Sequence, residues 1–185
     1  MTRLFIRARC IAAPPPANWR DELGQMLGAK PRRIGAWAEL GLYGALRCMA
    51  EAGEATLPQD ALVMLTSRHG TAAATRLVLQ QMQDGLPMPM AFLQTQPSQL
   101  LALLAAQLDW RGQACYYAAA PASDLLRLAA AQSGPDGVLL GWVDETEGGS
   151  SHWFRLQPGA GAGARPGHVP ASSDPLFLPE FSHAA

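Results

Sequence analysis

Lysine is almost absent from this chain of 185 residues: Lys30 stands alone beside 13 arginines and 15 acidic residues, and the formal net charge is -1. A nucleic-acid partner would leave a basic stripe, and none is present, so RNA and DNA are excluded as partners. Long apolar runs are missing as well. The longest, LLALLAA at 100–106, falls far short of the ~20 residues that span a bilayer, so no membrane span is expected. Only three cysteines occur, Cys10, Cys48 and Cys115, far apart and without metal-type spacing. They read as free thiols in a reducing compartment, with no disulfide framework. At the N-terminus Arg7 and Arg9 interrupt what would be the apolar stretch of a signal peptide, so a cytoplasmic location is expected.

Apolar residues are plentiful, at 49%, against 16% charged. A chain of this length buries roughly 70% of its unfolded surface, enough for one real core. The balance is richer in apolar surface than a monomer needs, which points to coverage by a partner.

LFIRARCIA (4–12) alternates apolar and arginine side chains, the period of a strand with one wet face. WRDELGQML (19–27) reads as a short amphipathic helix closed by Gly28, and 33–52 as the longest helix, largely buried. Gly41 and Gly44 cost that helix roughly 1 kcal/mol each against alanine, which implies close packing. Residues 60–67 suit a strand, and a helix follows, closed by Gly85. LPMPMAFLQTQ (86–96) reads as an irregular loop before a helix opened by Pro97. QACYYAAA predicts a strand, PASDLLRLAAAQ a helix, GVLLGWV (137–143) a strand and HWFRLQ (152–157) its antiparallel partner. Strands alternating with helices predict an α/β domain over 1–157. From 158 to 185 the Gly, Ala and Pro content predicts a flexible tail.

Chemistry-bearing residues are few. Ser67, Arg68 and His69 beside Gly70 form a candidate polar site at a strand end, although a glycine turn explains the same four residues. Cys115 has the chemistry of a nucleophile but reads equally as a buried small hydrophobe. Ser123 and Asp124 suit a helix start, where a side-chain oxygen accepts an orphan N–H. Asp144, Glu145 and Glu147 read as a polar turn rather than a metal site. His152, His168 and His183 read as surface residues. The glycines after Gln157 lack the lysine and the following helix of a phosphate loop, so neither metal nor cofactor is expected.

The order of motifs SRHG…GLPMPMAFLQTQPSQLLALLA, then LDWRGQACYYAAAPASDLLRLAAA, then GVLLGWVDE resembles the N-terminal half of the β-ketoacyl synthases. Within that family it is similar to the compact chain-length-factor-like proteins of aryl polyene and xanthomonadin type. The resemblance covers about residues 1–157. It implies half of a three-layer thiolase-like fold, with a mainly parallel central sheet, one antiparallel edge strand and helices on both faces. It also implies a degenerate nucleophile elbow: Ala120, Ala122 and Ser123 match the small residues around the family's cysteine, and Pro121 falls on the cysteine itself. Pro97–Ser98 departs from a His-Asn pair in related small proteins. The family's two catalytic histidines belong to a C-terminal half that the chain is expected to lack.

By the same resemblance, Cys115, Tyr116, Tyr117 and Ala118 are partner-interface residues, because ketosynthases pair this strand across a two-fold axis; an internal strand with two half-buried tyrosines is the plainer reading. The implied function is a non-catalytic subunit in polyene or fatty-acid-like biosynthesis, partnered by a complete ketosynthase or by a second copy. Two other readings stay open. One is a small thioesterase or acyltransferase using Cys115 or Ser67 with His69. The other is a homodimeric scaffold for acyl carrier protein, with Arg32, Arg33 and Arg68 facing an acidic carrier.

Overall fold

The computed structural model describes residues 4–159, apart from Pro87 and Glu147. The expected tail, Glu147, His168, His183 and most of the glycine-rich segment therefore lie outside the described residues. The first half of the chain supplies strand β1 (Leu4–Ala12), helices α1 (Trp19–Leu27) and α2 (Ala36–Ala52), strand β2 (Leu62–Ser67) and helix α3 (Ala72–Gln83). The second half supplies α4 (Pro89–Leu93), α5 (Ser98–Gln107), β3 (Ala114–Ala118), α6 (Ala122–Gln132), β4 (Val138–Asp144) and β5 (Ser150–Pro158).

The strands form one sheet in the order β1-β5-β4-β2-β3. β3, β2 and β4 run parallel, and β5 is antiparallel to both of its neighbours, β4 and β1. The antiparallel strand expected from HWFRLQ is thus β5, and β1 closes the sheet outside it. The mixed, mainly parallel sheet with helices on both faces is the expected α/β architecture. β2 and β4 are apolar almost throughout because both faces are covered, as parallel strands require. On one face α1, α2 and α5 pack over Val63, Leu65, Leu139, Val143 and Trp153. On the other, Leu125 and Ala129 of α6 meet Leu62, Met64, Val138, Leu140 and Phe154.

Three local differences from the sequence expectation have plain causes. α2 begins at Ala36 rather than at residue 33, because Arg33 has φ 64° and Gly35 is extended at ψ 154°. The expected irregular loop contains α4, opened by Pro89 in its first turn, where a missing N–H costs nothing. His152 is buried rather than on the surface, since β5 has strands on both sides and the run from Ser151 to Leu156 is buried throughout. In β1 a register shift between Ile6 and Ala8 breaks the simple alternation, so that Leu4 and Ala8 face different cores.

Gly41 and Gly44 do pack closely. A Cβ on Gly41 would collide with Leu100 Cδ2, and one on Gly44 with Ser151 Oγ and, at 2.6 Å, Trp153 Cδ1. Opposite them, a Cβ on Gly141 would reach the Trp153 ring at 2.5–2.7 Å. The three glycines therefore let α2 sit directly on β4 and β5.

Candidate functional site

The parallel strands β2, β3 and β4 all end on the same side of the sheet, since Ser67 pairs with Ala118 and Thr66 with Trp142. This carboxyl edge is where open α/β sheets place their binding groups. Three segments meet there: the expected polar site Ser67, Arg68 and His69 after β2, the bend leading into the expected elbow after β3, and Asp144 with Glu145, which had read as a polar turn, at the end of β4.

The bend differs in detail from the sequence expectation. Its turning residue is Ala119, at φ 52°, a region that non-glycine residues enter at a cost of roughly 1–2 kcal/mol. Its N–H donates to the Ser67 carbonyl at 2.8 Å. Pro121 follows as the N-cap of α6, extended at φ -60° and ψ 143°, and accepts from the N–H groups of Asp124 and Leu125 at 3.0 and 3.2 Å. Ser123 and Asp124 do not cap the helix. No side chain caps α6, and Asp124 instead pairs with Arg127 one turn on.

His69 is oriented by a carboxylate 75 residues away. Its Nδ1 lies 3.1 and 3.2 Å from the two oxygens of Asp144, and its backbone N–H donates to Asp144 Oδ2 at 3.3 Å. Asp144 is buried, and Thr146 Oγ1 donates to it at 3.0 Å. The Ser67 hydroxyl is buried and occupied: it accepts from Gly70 N–H at 2.7 Å and from Trp37 Nε1 at 3.3 Å. No hydrogen bond joins Ser67 to His69 among the described residues. Cys115 pairs with Met64, three positions back along the strand from Ser67, which is about 10 Å. The structure thus orients the histidine without assembling either expected nucleophile upon it. Among the described residues no group of three or more His, Cys, Asp or Glu side chains is placed to hold a metal.

Among the described residues β3 is a sheet edge, so one row of its backbone N–H and C=O groups has no described strand beside it. All five of its residues are at least partly exposed. Tyr116 turns toward the α2 face and meets Trp37 edge-on, with ring centroids 6.2 Å apart. Tyr117 joins the α6 face. Burial pushes the Tyr116 hydroxyl above its ordinary range, and the Asp144 charge adds to this. Arg32, Arg33 and Arg68 are all exposed.

A surface that the sequence reading missed stands beside this edge. Neither α3 nor α4 has a single buried residue. Of the ten large apolar side chains exposed among the described residues, eight lie between 77 and 93, including Leu79, Met82, Leu86, Met88 and Phe92. The signal was present in MQDGLPMPMAF, where three methionines (Met82, Met88 and Met90) fall close together among few charges. The base of this α3–α4 arm adjoins β3, because Tyr116 Oη lies 2.9 Å from where a Cβ of Gly70 would project.

No protein-family model matches the chain, and no curated protein does. Solved structures do match. A chain of the ketosynthase (ApeO) in complex with its chain length factor (ApeC) from Xenorhabdus doucetiae is similar at TM-score 0.60 and 16% identity, over 87% of this chain and 81% of that one. The ishigamide ketosynthase/chain length factor is similar at TM-score 0.66 and 14% identity, over 89% of this chain and 64% of that one. A chain of a type II PKS acyl-carrier protein in complex with its ketosynthase bound to the hexaketide gives 0.57 and 8%, over 85% and 63%. The chain therefore has the fold of ketosynthase and chain-length-factor chains, and it spans somewhat less than two thirds of the latter two.

Proposed function

We propose that this chain is a non-catalytic ketosynthase-like subunit that pairs with a complete ketosynthase and acts as its chain length factor in polyene or fatty-acid-like biosynthesis. The observation that carries the reading is an open β3 edge flanked by an uncovered apolar arm, on a fold whose similar structures include ketosynthase and chain-length-factor complexes. A five-residue edge strand is too small for a stable interface by itself, since specific complexes bury about 800 Å² on each partner. Eight large, half-exposed apolar side chains add on the order of several hundred Å², more than a monomer ordinarily leaves in one patch.

Pro121 supports the non-catalytic part. It stands at the N-cap of α6, where the resemblance aligns it with a nucleophile, and it carries no thiol or hydroxyl. Cys115 and Ser67 are not joined to the oriented His69, which leaves the thioesterase reading without an assembled dyad. The test is co-expression with a complete ketosynthase from the same genome, followed by size-exclusion chromatography. A 1:1 complex at micromolar concentration is expected. If the two proteins elute separately, the heterodimer reading fails, and a two-fold larger particle from this chain alone would transfer the interface to a homodimer.

A further inference from the structure

The α3–α4 arm buries none of its residues against the body, yet it is not loosely attached. Helix α3 lacks a cap of its own. Its N-cap residue, Thr71, makes no capping bond, and the Thr71 hydroxyl donates instead to the Thr95 carbonyl at 2.7 Å. The orphan N–H of Ala73 is satisfied from 72 residues away, by Glu145 Oε1 at 3.0 Å. Next to it, Asp144 takes the His69 backbone N–H and ring nitrogen. Two consecutive carboxylates at the end of β4 thus hold the turn into α3 and the first turn of the helix. Their negative charge also faces the positive end of the helix dipole.

We propose that Asp144 and Glu145 are positioning residues that fix the α3–α4 arm in the pose in which it meets its partner subunit. The inference deepens the partner reading above and rests on it for its purpose, although the clamp itself is a property of the isolated chain. Ordering interface side chains at the moment of binding weakens association, so an arm held before the encounter binds more tightly. With Glu145 gone, α3 has no side chain among the described residues satisfying its N-terminal donors. With Asp144 gone, the turn at His69 loses its anchor to the sheet.

Hydrogen–deuterium exchange of the isolated chain tests the clamp. In Glu145→Ala and in Asp144→Ala, amides of α3 should exchange about tenfold faster while those of β2, β4 and β5 stay as in the wild type. Glu145→Gln keeps an accepting oxygen for Ala73, and His69→Asn keeps a donor near the place of Nδ1. Both should exchange like the wild type, whereas His69→Ala should not. Unchanged α3 exchange in the alanine variants overturns the proposal. So does α3 exchange that is already complete in the wild type at the earliest time, or acceleration spread evenly over the sheet. Should Asp144→Ala fail to fold, Glu145→Ala alone decides. The partner reading is probed separately by Phe92→Glu in the co-expression experiment. If that variant still forms the complex while the clamp behaves as expected, the arm is held in place but does not meet this partner.

Discussion

Helices α2 and α3 are built from similar materials, leucine, methionine and alanine with one arginine each and few other charges, yet they end in opposite surroundings. Eleven of the 17 residues of α2 are buried, and none of the 12 in α3. The difference lies in what lets a helix approach a sheet. Gly41 and Gly44 give α2 a flat strip that seats on Leu100, Ser151 and Trp153. α3 has no glycine, and its large apolar residues Leu77, Leu79 and Met82 all stand exposed. Stability is concentrated in the first region. The second leaves its apolar surface exposed among the described residues, and it is there that the proposed partner would be met.

The sharpest break of this comparison is Trp37→Ala. Trp37 is 2% exposed, and its indole N–H donates to the Val143 carbonyl at 3.1 Å as well as reaching Ser67. Its removal opens a cavity between α2 and β4, leaves that carbonyl without its donor and takes the edge contact from Tyr116. A loss of about 3–5 kcal/mol is expected from urea unfolding. A loss below about 1 kcal/mol would mean that the α2 face is not where stability is held.

Much of the fold was legible beforehand, the exposed arm was not, and what was missed has a physical reason. Every strand and most helices announced themselves through periodicity and glycine or proline ends, and Gly41 and Gly44 signalled close packing before any coordinates did. Periodicity sees one segment at a time, however. It could not say that His152 would be buried, because that depends on β1 closing over β5 from the other end of the chain. Nor could it join His69 to Asp144, or Ala73 to Glu145, over more than 70 residues. The carboxylates read as turn residues because their partners were out of sight. The bend at CYYAAAPASD drew attention to its proline, while the strained residue is Ala119, which no propensity favours for that backbone.

A smaller effect sharpens the picture of the buried face through its alkaline behaviour. Burial, together with a hydrogen bond to Glu22 at 2.8 Å, pushes the Tyr43 hydroxyl up to about 12. Burial likewise pushes the Cys48 thiol up to about 12. Both groups favour their neutral forms in the folded state, whereas their ordinary values are 10.0 for Tyr43 and 9.0 for Cys48. Their stabilising contribution is therefore complete below pH 9 and is lost as pH rises toward 12, with a slope of up to about 1.4 kcal/mol per pH unit for each group. Urea midpoints measured from pH 8 to 11 should fall accordingly, and Tyr43→Phe should reduce the slope above pH 10. An unchanged slope in that variant would mean that Tyr43 ionises as freely in the fold as outside it.

The smallest effect on stability should come from the arm, and that smallness is the point. Leu79 and Met82 lie one turn apart on α3, and both are more than half exposed. Replacing both with glutamine removes apolar surface that the isolated chain never covers, so the unfolding free energy should move by no more than about 0.5 kcal/mol. The same change deletes part of the surface assigned to a partner, and association with the co-expressed ketosynthase should weaken about tenfold or more, because apolar contacts at an interface centre dominate binding. Unfolding and binding must be read on the same double variant. A protein that binds as before refutes the role given to α3. One that loses 2 kcal/mol of stability shows that α3 is packed against its own body after all, which would collapse the contrast with α2.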